Sequence, residues 1–146
     1  MKLDPFQQLA IDYLSEGNSV IVSAPTGAGK TLIAEHVIEQ CLSRREKVIY
    51  TAPVKALSNQ KYRDLQSMTQ GDIGILTGDV SLNPEAAVLI MTTEIFRNRI
   101  LKEPESLKQY TWIIYDEIHY LDDYERGSVW EESLMFLPEH MRLLGL

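Results

Sequence analysis

The chain has 146 residues, of which 45% are hydrophobic and 24% are charged, and its formal net charge is −7. These values predict one soluble globular domain with a sizeable core. No apolar run reaches about eighteen residues, so we expect no transmembrane span. The amino-terminal residues lack the apolar segment of a signal peptide, and Cys41, the only cysteine, excludes an intrachain disulfide. We therefore expect an intracellular, cytoplasmic protein without a membrane partner, the nucleus being the alternative in a eukaryote.

The charge is distributed unevenly along the chain. Residues 41–102 carry a net charge of +3, although the whole chain is acidic. The acidic total argues against a nucleic-acid partner, while the basic middle segment argues for one. Charge alone therefore leaves both interpretations open.

Apolar runs and helical spacings alternate along the chain. The predicted strands cover residues 20–24, 47–52, 73–76, 88–91, 112–115 and 142–146. The predicted helices cover residues 31–42, 55–66, 93–102 and 129–136. This alternation favours a parallel sheet that is covered by helices on both faces. Polar clusters follow the strand ends, so we expect them to lie together at the carboxyl edge of the sheet.

The first predicted strand leads into Ala-Pro-Thr-Gly-Ala-Gly-Lys-Thr. A glycine-bearing loop in this setting can wrap a triphosphate, because its N–H groups point into one concavity and the next helix adds its positive end. Lys30 would reach the β- and γ-phosphates, and the Thr31 hydroxyl would bind Mg²⁺. The predicted nucleotide-binding residues of this loop are Ala24, Pro25, Thr26, Gly27, Ala28, Gly29, Lys30 and Thr31. The alternative is a glycine-rich turn without a ligand.

A second acidic element follows the apolar residues 112–115. In nucleotide hydrolases with a phosphate loop, an acidic residue at such a strand end holds Mg²⁺, usually through water. Asp116 fits that role, and Glu117 would polarise the attacking water as general base. With Lys30, these residues form the predicted catalytic set. The alternative is a pair of solvated carboxylates.

Taken in order, these segments resemble superfamily 2 helicases with a D-E-x-H box, and within them the superkiller-type RNA helicases that feed RNA to the exosome. The matching segments are residues 5–7 (glutamine motif), 23–31 (motif I), 51–62 (motif Ia), 76–80 and 90–95 (strand-binding motifs), 116–119 (motif II) and 126–132 (a subfamily signature). The alanine at position 24 is normal in this family.

The resemblance implies a RecA-like P-loop fold with three α/β/α layers and a mostly parallel sheet. It implies ATP and Mg²⁺ as cofactors and single-stranded RNA as partner, with DNA as the alternative. It also implies that Gln7 reads the adenine and that His119 links the ATP state to the nucleic-acid state. The nucleic-acid-binding residues that it implies are Pro53, Lys55, Gly78, Thr92 and Thr93.

The same resemblance implies that residues 1–146 are the N-terminal RecA-like, ATP-binding domain of a longer helicase, ending before motif III. The second RecA-like domain of the full-length chain would then be a partner. We expect the full-length protein to couple ATP hydrolysis to translocation on a single strand, and the isolated segment to be monomeric and nearly inactive. The alternatives are a DNA-repair helicase of the same superfamily, a small-molecule kinase and a non-catalytic nucleotide-binding module.

Overall fold

The computed structural model describes residues 3–22, 29–116 and 136–146, and these residues form one sheet in the order β1-β7-β6-β2-β5-β3-β4. Its neighbouring strands are parallel except for β3 and β4, which are antiparallel. The strands are β1 (Val20–Ile21), β2 (Lys47–Ala52), β3 (Ile73–Leu76), β4 (Ser81–Leu82), β5 (Val88–Thr92), β6 (Tyr110–Tyr115) and β7 (Arg142–Gly145).

Helices connect the strands. They are α1 (Pro5–Ser15), α2 (Lys30–Ser43), α3 (Lys55–Leu65) and α4 (Thr93–Lys102), followed by a 3₁₀ turn, Pro104–Leu107. Pro5 suits the first turn of α1 because that position needs no N–H donor. The side chain of Thr92 caps α4 by accepting a hydrogen bond from the backbone N–H of Ile95 at 3.4 Å. In the part of the chain that the structure describes, no helix could span a membrane.

The sheet buries a different apolar cluster on each face, because successive side chains of a strand point to opposite sides. Leu14 of α1, Val37 of α2 and Leu65 of α3 pack on one face. Phe96 of α4 and Leu107 of the 3₁₀ turn pack on the other. The predicted RecA-like three-layer fold with a mostly parallel sheet is confirmed.

Several predicted boundaries are confirmed to the residue, including those of β3 and α4. The strand at residues 112–115 is longer than predicted and begins at Tyr110. The predicted helices did not include α1, and two short elements were also missed: β4 and the 3₁₀ turn. β4 has only two residues and pairs because the chain reverses after β3, where the N–H of Thr77 donates to the carbonyl of Val80 at 2.9 Å. Residues 23–24 and 129–135 of the predicted elements lie outside the described residues.

Candidate functional site

The carboxyl ends of the parallel strands place several predicted clusters along one edge of the sheet. Ala52 at the end of β2 is in register with Thr92 at the end of β5. On the other side of β2, Thr51 is in register with Tyr115, directly before Asp116. This edge is where open α/β sheets bind ligands.

Helix α2 begins at this edge with Lys30 and Thr31 in its first turn. Its N-cap is Gly29, whose φ of +86° lies in the left-handed region that glycine tolerates best. The first N–H groups of a helix have no partner within it, so they can meet an anion. Thr31 is exposed. Residues 24–28, which complete the predicted nucleotide-binding loop, lie outside the described residues.

The side chain of Gln7 joins α1 to the end of this loop. Its Oε1 accepts a hydrogen bond from the backbone N–H of Asp4 at 2.8 Å, and its Nε2 donates to the carbonyl of Gly29 at 3.0 Å. Gln7 is only 5% exposed. A carboxamide carries two donor hydrogens and two acceptor positions, so these two bonds use half of its capacity. One donor hydrogen and one acceptor position of the Gln7 amide therefore remain for the edge of an adenine.

Asp116 is held by the neighbouring strand β2 and by α3. Its backbone N–H donates to the carbonyl of Thr51 at 3.0 Å. Its Oδ2 accepts a hydrogen bond from the Tyr50 hydroxyl at 2.5 Å and lies 3.8 Å from Nζ of Lys61. The Asp116 side chain is 14% exposed, so its carboxylate is fixed yet reachable from the carboxyl edge.

The donor set at this edge fits nucleotide-bound Mg²⁺. Within residues 3–22, 29–116 and 136–146, no cluster of three or more His, Cys, Asp or Glu side chains could hold a metal on its own. Mg²⁺ seldom needs such a cage, because it usually takes one or two carboxylates together with phosphate oxygens and water. Thr31 and Asp116 supply hard oxygen donors of that kind. Glu117 and His119 lie outside the described residues.

The candidate nucleic-acid residues lie on the β2, β3 and β5 side of the same edge. Lys55 forms an ion pair with Asp79, so the structure brings together the clusters that follow β2 and β3. Both side chains are largely exposed. Gly78 has open space around its Cα, and Thr93 begins α4 directly after its cap, Thr92. Capping of α4 gives the Thr92 side chain a structural role, and its contact with nucleic acid stays a prediction.

Two titratable groups with shifted pKa values belong to the packed interior. Burial raises the pKa of the Cys41 thiol to about 12, and the charge of Glu46 adds to the shift. Cys41 is 1% exposed on α2 and belongs to the buried core. Burial also raises the pKa of Tyr110, at the amino end of β6.

Sequence reasoning missed three residues that the structure places in or beside the site: Tyr50, Lys61 and Asp79. Tyr50 carries a hydroxyl directly after the apolar residues Val48 and Ile49 of a strand that ends at this edge, and that was an available signal. Lys61 and Asp79 lie within segments 51–62 and 76–80, which carry the resemblance, but their ion pairs depend on tertiary packing.

Comparison with known proteins gives concordant results. The family model described as DEAD/DEAH box helicase matches residues 4–146. Over 99% of its length the chain is 51% identical to the ATP-dependent RNA helicase mtr4 of Schizosaccharomyces pombe, and over 98% it is 50% identical to human Superkiller complex protein 2. It covers 13% and 11% of those proteins. The Mycobacterium smegmatis helicase Lhr bound to ssDNA and AMP-PNP superposes with a TM-score of 0.77, at 27% identity, over 99% of this chain and 22% of that one.

Proposed function

Because the chain belongs to the DEAD/DEAH box helicase family, we propose that it is the ATP-binding motor part of an ATP-dependent RNA helicase. One observation carries the proposal: Lys30 and Thr31 at the start of α2 and Asp116 at the end of β6 share the carboxyl edge of one sheet. The chain spans only 13% and 11% of the length of the two curated relatives. The activity of the whole protein is therefore part of the proposal.

In the nucleotide half of the site, each residue has a distinct proposed role. The Lys30 ammonium binds the β- and γ-phosphates, and the residues of the loop 24–29 surround them with backbone N–H groups. Bound Mg²⁺ would neutralise charge that develops on the phosphates, held by the Thr31 hydroxyl and, through water, by Asp116. Glu117 orients and polarises the attacking water as general base. Gln7 binds the adenine edge with the remaining capacity of its amide.

In the other half of the site, we propose contacts with the phosphates of a single strand. Lys55 supplies a charge, the hydroxyls of Thr92 and Thr93 supply donors, and Pro53 and Gly78 allow close approach of the strand. Such contacts are independent of sequence. RNA is favoured because mtr4 is named an RNA helicase. DNA remains the second candidate because Lhr was solved with ssDNA.

We further propose that residues 1–146 are the first of two RecA-like domains, the second being the partner that closes the ATP site. In related nucleotide hydrolases an arginine finger contributes about 10³–10⁵ in rate. Without a finger from a second domain, residues 1–146 alone should bind ATP weakly and turn it over slowly. His119, next to the catalytic carboxylates in sequence, would link the ATP state to strand binding.

The decisive experiment measures ATPase activity of the full-length protein with single-stranded RNA and, separately, with single-stranded DNA. The proposal expects greater stimulation by RNA, and loss of the stimulated activity in Lys30→Ala and Glu117→Gln. Lys47→Ala is the matched control, because Lys47 lies at the opposite, amino end of β2. Wild-type turnover in Lys30→Ala or Glu117→Gln would refute the assigned roles. Greater stimulation by DNA would favour the DNA-repair alternative.

A further inference from the structure

Tyr50 and Asp116 form a contact that the proposed chemistry does not yet use. The Tyr50 hydroxyl donates to Oδ2 of Asp116 at 2.5 Å, across the ladder that joins β2 to β6. Hydrogen bonds to ionised carboxylates are short and about twice as strong as neutral ones. A contact of this kind fixes the direction in which the carboxylate points.

The Tyr50 side chain is itself rigidly held. It is 2% exposed and belongs to the apolar cluster beneath α1, α2 and α3. Its ring has few rotatable bonds and is packed on all sides, so little entropy is lost when its hydroxyl binds Asp116. The hydroxyl therefore acts as a fixed donor aimed from the core at the carboxyl edge.

Adjacent residues of β2 hold Asp116 at two points. The carbonyl of Thr51 accepts the backbone N–H of Asp116 at 3.0 Å, while Tyr50 binds the side chain. One bond fixes the backbone after β6 and the other fixes the carboxylate orientation. Side chains that orient metal-binding groups in this way affect metal affinity about 10–100-fold when they are removed.

The geometry points to Tyr50 as a positioning residue that orients the Asp116 carboxylate for Mg²⁺–ATP. The inference rests on the proposed role of Asp116 in the nucleotide site. It assigns to β2 a function in nucleotide binding in addition to its position before the candidate nucleic-acid residues Pro53 and Lys55. In this inference the Tyr50 hydroxyl acts through Asp116, so its effect should appear in the dependence of nucleotide binding on Mg²⁺.

The test uses Tyr50→Phe in the full-length protein, which removes the hydroxyl and keeps the ring. The dissociation constant of a fluorescent ATP analogue is measured in EDTA and at graded Mg²⁺ concentrations, without turnover. We expect an unchanged constant in EDTA and an about 10-fold smaller tightening by Mg²⁺. Tyr110→Phe is the matched control, since Tyr110 is equally buried but lies at the amino end of β6, and it should behave as wild type.

Asp116→Asn separates failure of this inference from failure of the proposed function. If Asp116→Asn keeps the wild-type tightening by Mg²⁺, the proposed role of Asp116 is wrong. If Asp116→Asn loses the tightening but Tyr50→Phe keeps it, only the positioning role is wrong. An equal loss of affinity with and without Mg²⁺ in Tyr50→Phe also overturns that role, because it indicates a structural effect. The inference further requires that Tyr50→Phe adds nothing in an Asp116→Asn background.

Discussion

The side-chain amide of Gln7 donates to the carbonyl oxygen of Gly29 at 3.0 Å and so joins the first helix to the end of the proposed nucleotide loop. The two residues are distant in sequence but share one partly buried contact. The loop end is therefore positioned by α1 as well as by the strand that precedes it. This dependence can be tested from both sides of the contact.

Gln7→Ala should weaken ATP binding by about 2–10-fold, since one hydrogen bond has a net value of about 0.5–1.5 kcal/mol. It should also reduce the preference for ATP over GTP, because the proposed adenine contact is lost. Isothermal titration with each nucleotide measures both effects. Gln8→Ala is the matched control: Gln8 is exposed, and among the described residues its side chain hydrogen-bonds only to Asp12. An unchanged ATP preference in Gln7→Ala would exclude the adenine role.

Gly29→Ala should destabilise the protein by about 1–3 kcal/mol, because its Cβ would meet a close neighbour at a strained backbone angle. An added Cβ would clash with Nε2 of Gln7, and the φ of Gly29 is +86°. Gly71→Ala separates the two causes, since Gly71 has a similar φ of +84° but no atom within 4 Å of its added Cβ. Urea unfolding of both variants gives the difference, and equal losses would mean that Gln7 yields without cost.

Asp79→Asn should tighten binding of single-stranded RNA by up to about 5-fold. Exposed ion pairs contribute up to about 1 kcal/mol, and the substitution releases Lys55 for a phosphate. Fluorescence anisotropy at low salt measures the affinity. Asp64→Asn, at an exposed position of α3, removes an equal charge elsewhere and is the control. In a Lys55→Gln background, Asp79→Asn and Asp64→Asn should change the RNA affinity equally. If Asp79→Asn still tightened RNA binding more than Asp64→Asn, its effect would not act through Lys55.

The buried Cys41 thiol should make the protein less stable in alkali. Its pKa is raised from 9.0 to about 12, so above pH 9 the unfolded chain loses a proton that the folded chain keeps. The contribution of the protonated Cys41 thiol to the free energy of unfolding is fully present below pH 9. It falls as the pH rises toward 12, and the loss at pH 10 is about 1.4 kcal/mol. Urea unfolding at pH 7 and pH 10 measures the fall. Cys41→Ala should show a smaller fall, while the remaining slope includes Tyr110, whose pKa burial also raises.

Much of the fold could be predicted because local patterns and tertiary structure agree. The buried strands β2, β5 and β6 are short apolar runs bounded by polar residues, and their length and their β-branched and aromatic residues favour strands over helices. β4 could not be predicted in the same way. Its two residues are exposed, and they pair only because the turn after β3 brings them back beside that strand.

The residues of the candidate site also fall into those that the sequence pattern predicts and those that depend on tertiary structure. Lys30, Thr31 and Asp116 occupy positions that a strand end or a helix start defines, so the sequence was sufficient to select them. Tyr50 and Asp79 depend on which strands are neighbours. The order β6-β2-β5-β3 sets those neighbours, and periodicity carries no information about strand order.

The order of the strands in the sheet also separates most of the proposed ATP-binding residues from the proposed nucleic-acid-binding residues. In the described sheet, the elements before the proposed ATP-binding residues (β1 and β6) lie on one side of the β2–β6 ladder, with β7 between them. The elements before the proposed strand-binding residues (β2, β5 and β3) lie on the other. Substitutions at the ends of β3 and β5 should therefore change the binding of single-stranded nucleic acid while the packing around the proposed ATP-binding residues is preserved.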